Sequence, residues 1–112
     1  MLKTQQIHGI TEVHPKDLKD HLKSVQLIDV RRPDEFTGEL GHIAGSKLVT
    51  LGPELEAHMK TLSKEDPIVF ICRSGGRSGH ATMFSQDMGF KSVMNMTGGM
   101  ILWNELGFPT EK

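Results

Sequence analysis

The sequence predicts an α/β domain, with a mainly parallel central sheet flanked by helices on both faces. Three observations carry that expectation. Short β-branched and apolar runs alternate with amphipathic helical stretches along the chain. One run, "PIVFIC" at residues 67–72, is apolar throughout, as in strands covered on both faces of a parallel sheet. Finally, 112 residues with 37% hydrophobic content suit one compact core and are too few for two. Strands alternating with helices imply right-handed crossovers, which place helices on both sides of the sheet.

The elements follow in order. "ITEV" is a short β-type run, and "HPKDLKDHLKS" reads as a helix opened by Pro15, with Leu18 and Leu22 on one face. "VQLIDV" (25–30) is the next strand. The stretch "RRPDEFTGELGHIAGS" carries Pro33, Gly38, Gly41 and Gly45 and reads as a long connection holding one helical turn. "KLVTL" is a short strand, and "GPELEAHMKTL" a helix with Leu55, Met59 and Leu62 on one stripe. After the apolar strand comes a helix from Arg77 to Met88 ended by Gly89. "KSVMNM" is a further strand, and "GGMILWNELGFP" a last helix closed by Gly107 and Pro109. No repeat, low-complexity tract or linker interrupts this order, so residues 1–112 read as one domain.

Composition narrows the function classes. Thirteen Lys and Arg against 14 Asp and Glu give a formal charge of -1, so no nucleic-acid partner is expected and any basic site must be local. The amino-terminal stretch lacks an apolar signal core, and no run approaches a membrane span. A soluble, cytoplasmic protein with no membrane partner is expected. One cysteine makes no internal disulfide, and the six histidines lack zinc-site spacing, so neither a metal nor a cofactor is expected. The seven methionines follow helix and strand periods and read as adaptable core.

A lone cysteine is commonly an apolar filler, and that alternative applies to Cys72. Its position argues otherwise. Cys72 closes the most apolar strand at the carboxyl end, where ligands of open α/β sheets sit, and a loop there turns into a helix. The loop, Arg73, Ser74, Gly75, Gly76, Arg77 and Ser78, is glycine-rich and doubly basic. Gly75 and Gly76 are expected to take positive φ and let backbone N–H groups converge on an anion, with the helix start adding its positive end. Such surroundings favour thiolate over thiol and make a nucleophile of the cysteine.

The segments "LIDVRRPDEF", "GHIAGS", "PIVFICRSGGRSGHA" and "TGGMILWNELGFP", in that order and spanning about residues 4–109, resemble the signature segments of the rhodanese family. The resemblance implies a rhodanese-like domain with thiosulfate sulfurtransferase activity. Cys72 would take sulfane sulfur from a small-molecule donor such as thiosulfate, hold it as a persulfide, and pass it to cyanide or a biological thiol. A sulfur-relay protein is a further partner compatible with that chemistry. The loop from Arg73 to Ser78 would bind the donor, its backbone cradling the persulfide and Arg73 and Arg77 attracting the dianion.

The same fold, as the family is known, also serves phosphatases and arsenate reductases, whose loop places an arginine after five intervening residues. Here four residues separate Cys72 from Arg77, and Ser78 stands where that arginine would be. Sulfur transfer is therefore favoured over phosphoryl transfer. A non-catalytic binding module of this fold, the third class, usually lacks the cysteine. Asp29 and Arg31, at a neighbouring strand end, are expected to organise a loop by hydrogen bonding, and His42 to tie down the long connection. His80, on the helix after the loop, could line the mouth, but a single helical histidine is more often surface or packing. Gly98, Gly99 and Trp103 are expected to fix the last helix against the sheet.

Overall fold

The structure, a computed structural model, describes residues 2–112. The anticipated strands are β2 (Ile10–Val13), β3 (Gln26–Asp29), β4 (Lys47–Leu48), β5 (Ile68–Ile71) and β6 (Val93–Met96), and one more, β1 (Gln5–Ile7), precedes them. They form one sheet in the order β1-β2-β6-β5-β3-β4, parallel except for the β1–β2 hairpin. That hairpin turns through His8 and Gly9, whose φ values of 52° and 83° match the two-residue turn whose twist suits paired strands. β1 is exposed along its length, so no apolar run marks it in the sequence.

The helices are α1 (Pro15–Leu18), α2 (Pro33–Phe36), α3 (Pro53–Met59), α4 (Gly76–Asp87) and α5 (Gly99–Glu105). The expected single helix over "HPKDLKDHLKS" is two short pieces. His14 Nδ1 accepts the Lys16 amide at 3.1 Å, Pro15 starts α1, and a 3₁₀ turn over Leu22–Ser24 follows. Leu18 is fully buried from the first piece, while Leu22 and Val25 reach the same core from the tighter turn. Packing of three apolar residues in a short span thus overrides continuous helical bonding.

β5 shows why the sheet carries two cores. Its four residues are all buried: Ile68 and Phe70 face one cluster with Leu55 and Met59 of α3 and Ala81 of α4, and Val69 and Ile71 face another with Leu18, Met100 and Trp103. Side chains alternate across a strand, so an unbroken apolar run is what a strand covered on both faces requires. Each such side chain contributes about 1.5–3 kcal/mol of burial. Helices α3 and α4 therefore cover one face, and α1 and α5 the other. Of the seven methionines, Met59, Met94, Met96 and Met100 lie in these cores, while Met83 is exposed on α4. Among the described residues no helix is long and apolar enough to cross a membrane.

Candidate functional site

Cys72 sits one residue beyond β5, at its carboxyl end, and is 1% exposed. Burial alone would suit an inert filler. Its sulfur instead meets two polar hydrogen donors: the Gly75 amide donates to Sγ at 3.0 Å, and the Ser78 hydroxyl lies 3.2 Å from it. Gly75, with φ 105°, is the residue before α4, and this left-handed backbone turns its N–H back onto the sulfur.

Gly76 departs from the sequence expectation. It lies outside the positive-φ region, opens α4 as its first residue, and a Cβ built on it meets nothing within 4 Å. Positive φ is needed only at the residue that bends the loop. Once Gly75 has made the turn, Gly76 is free to take helical dihedrals.

The base of the loop is held from the far side. The amides of Met100 and Ile101 donate to the carbonyls of Cys72 and Arg73 at 2.9 and 3.0 Å, so the first turn of α5 is docked on the loop backbone. Gly99, with φ 59°, permits the approach: a Cβ there would lie 2.5 Å from the Arg73 carbonyl oxygen and 2.6 Å from that of Cys72. Trp103, buried and donating to the Pro109 carbonyl at 2.9 Å, anchors the same helix. The expected role of Gly98, Gly99 and Trp103 in fixing α5 thus extends to the loop itself.

The two arginines have different surroundings. Arg77 donates to both carboxylate oxygens of Glu35, at 2.7 and 2.8 Å, bridging α4 to α2. The Arg77 hydrogen bond holds the Glu35 carboxyl down at about 2, against the opposing effect of burial, and the Arg32 amide and guanidinium add to it. Arg77 in turn is kept more firmly protonated, above all by its bond to Glu35, and also by the charges of Glu35, Cys72 and Asp29. Arg73 is exposed and has no ion-pair or side-chain hydrogen-bond partner among the described residues. It borders a pocket of about 270 Å³ whose wall also carries Asp34, Glu35 and Glu39. The local positive excess is therefore smaller than two adjacent arginines in the sequence suggest, and Arg73 supplies the accessible part of it. Ser74 is exposed at the rim.

Asp29 and Arg31 pair with each other, not with the sulfur. Arg31 Nε and Nη2 donate to the two Asp29 oxygens at 2.9 and 2.8 Å, and the same guanidinium holds the carbonyls of Glu35 and Gly41. Both side chains are essentially unexposed. His42 stacks on Phe36 at 3.7 Å between ring centroids, and its Nδ1 lies 2.8 Å from the Phe36 carbonyl oxygen. These contacts pin the long connection around α2, and so place Glu35 where Arg77 can reach it. His80 is exposed on α4 and shares a shallow pocket with Leu51, Pro53 and Phe84.

Sequence reasoning missed three residues: Glu12, Glu35 and Asn95. Asn95, 3% exposed on β6, accepts the Ser78 hydroxyl at Oδ1, and its Nδ2 donates to Glu12 Oε2 at 2.9 Å and to the Gly75 carbonyl at 3.1 Å. The signal was present, since a polar residue inside the otherwise apolar run "VMNM" must find partners if that strand is buried.

Fold and loop together define an α/β domain that presents one thiol, at the carboxyl end of a central strand, with the Gly75 amide turned onto its sulfur. The rhodanese-like domain matches residues 14–106. The Bacillus subtilis protein YtwF is 36% identical over 97 residues, covering 84% of this chain and 90% of its own. A protein named sulfurtransferase from Allochromatium vinosum is 30% identical, over 89% of this chain and 94% of its own. The crystal structure of a rhodanese-related protein from Thermoplasma volcanium superposes with a TM-score of 0.78 at 31% identity, covering 88% of this chain and 94% of that one. In several other relatives the match takes in only about half to three-fifths of the length. The chain belongs to the rhodanese family of sulfurtransferase domains.

Proposed function

We propose that the protein is a sulfurtransferase that carries sulfane sulfur on Cys72, from an anionic donor such as thiosulfate to cyanide or a thiol. The Cys72 thiolate attacks the outer sulfur of the donor. The new S–S bond forms as the old bond breaks, and its electron pair leaves on sulfite. An acceptor nucleophile then attacks the outer sulfur of the Cys72 persulfide and restores the thiolate. The Gly75 amide faces the sulfur throughout, and Arg73 is the accessible cation that draws the dianion to the mouth. A relay to the thiol of a partner protein uses the same step, and a cytoplasmic setting, where a lone thiol stays reduced, fits it.

The observation that carries this reading is the buried Ser78 against Cys72. The position reached after five intervening residues, one beyond Arg77, holds a small hydroxyl 3.2 Å from the sulfur, where phosphoryl transfer calls for a guanidinium aimed at the transferring group. Mass spectrometry after exposure to thiosulfate tests it. The expected result is a gain of one sulfur on Cys72, reversed by cyanide, and no gain in a Cys72→Ser variant. A protein that stays unmodified while hydrolysing an aryl phosphate would overturn the reading in favour of phosphoryl chemistry.

A further inference from the structure

Ser78 has a single hydroxyl proton and two neighbours that compete for it, Cys72 Sγ and Asn95 Oδ1. The orientation of the Asn95 amide decides the competition. Its Nδ2 faces Glu12 Oε2 and the Gly75 carbonyl oxygen, a carboxylate and a carbonyl that can only accept. Both amide protons are committed, and a flipped amide would set Oδ1 against two acceptors. Oδ1 therefore faces Ser78 and needs its proton. Glu12 is Asn95's register partner across β2 and β6, and Thr97 Oγ1 donates to its other oxygen at 2.8 Å, so the carboxylate is held from two sides.

We propose that Asn95 and Glu12 are positioning residues that keep the Ser78 proton off Cys72 while its sulfur is neutral and release it when the sulfur is anionic. With Cys72 as a thiol, the S–H donates to Ser78 Oγ and the hydroxyl donates to Asn95. When a solvent base takes the thiol proton, the hydroxyl swings to Sγ and Asn95 Oδ1 loses its partner. When Sγ bonds to an incoming sulfur it is neutral again, and the hydroxyl returns to Asn95. Ionisation thus costs the network its Ser78–Asn95 bond, which offsets part of what the hydroxyl gives the thiolate, and the step that loads sulfur restores that bond.

The charged groups around Cys72 are the adjacent, exposed Arg73 of the loop and Arg77 on α4, with Glu35 of α2 and Asp29 of β3 beyond it; Glu12 of β2 reaches the sulfur only through Asn95 and Ser78. Substitution at Asn95 removes none of these charges. A change in thiol ionisation in that variant therefore reports on the hydroxyl proton.

This inference rests on Cys72 as the sulfur-carrying group, but alkylation by iodoacetamide across pH reads the thiolate with no donor or acceptor present, so the two fail separately. The pH midpoint, unlike the plateau rate, does not depend on how accessible the thiol is. In Asn95→Ala, Ser78 is free to donate to sulfur, so the profile moves to lower pH and the rate below the midpoint rises about five-fold, the size of one net hydrogen bond. In Ser78→Ala it moves the other way, and adding Asn95→Ala to Ser78→Ala moves it no further. Glu12→Ala, on a strand near the sheet edge, shifts the profile in the direction of Asn95→Ala, whereas Glu12→Gln retains an acceptor for Asn95 and keeps the wild-type profile. An equal shift from Asn95→Ala with and without Ser78 would overturn the proposal. So would a Glu12→Ala profile indistinguishable from that of Glu12→Gln, a comparison available even if the Asn95 variants do not fold.

Discussion

Replacing Glu35 with Gln removes one charge at the edge of the candidate site while keeping the shape of the side chain. Glu35 Oε1 accepts from the Arg32 amide at 3.2 Å and from Arg77 Nη1 at 2.7 Å; Oε2 accepts only from Arg77 Nη2 at 2.8 Å. A glutamine that keeps its oxygen at the first position loses the Nη2 bond and the charge, and turns its amide N–H toward the Nη2 donor. The folded carboxyl is held at about 2 against an ordinary 4.5. At about 1.4 kcal/mol per unit this would reach ~3–4 kcal/mol in a dry site. Arg77 is 38% exposed and Glu35 18%, so water screens the pair and about 1–2 kcal/mol is the expected loss at neutral pH.

The pH dependence separates this charge from a general packing defect. Glu35 is more acidic folded than unfolded, so its contribution is complete above about 4.5 and fades as pH falls toward 2. Urea unfolding of wild type and Glu35→Gln across pH measures it. The stability gap between them should be constant from neutral pH down to about 5 and close as pH drops through the window between those two values. A gap that stays the same from pH 7 to pH 2 would refute the ion pair as its source, and so would no gap at neutral pH.

Three further outcomes are expected. Gly76→Ala places a methyl in open space on a helical residue and should leave thiosulfate turnover within about two-fold, whereas Gly75→Ala forces φ 105° on an alanine and should slow turnover while the fold survives; equal effects in steady-state assays would contradict the assigned roles. Arg73→Ala should raise the thiosulfate KM and flatten its dependence on ionic strength, with kcat little changed, and an unaltered salt dependence would remove Arg73 from donor attraction. Asp29→Ala leaves the buried Arg31 guanidinium without its carboxylate and should cost about 3–5 kcal/mol in chemical denaturation, and a loss below about 1 kcal/mol would show that the pair is not what holds the connection.

How far the sequence could be read depended on whether a residue's role was local. The strand 67–72 was legible because burial on both faces leaves an unbroken apolar run, and the bend before α4 because two consecutive glycines announce one. Which glycine bends was not legible, since both types permit positive φ and only the path of the chain selects Gly75. β1 was invisible for the opposite reason: an exposed edge strand has no apolar pattern, and its pairing shows only in the turn at His8 and Gly9. The residues that tune the loop were harder still. Glu35 is 42 positions from Arg77, and Glu12 is 83 from Asn95, so nothing in the spacing near Cys72 names either partner. "CRSGGRS" presents two arginines as equals, yet the fold spends one of them on Glu35 and leaves the other to the solvent. A loop motif of this kind states which groups are present; the strands and connections packed around it decide which of their charges and protons remain for chemistry.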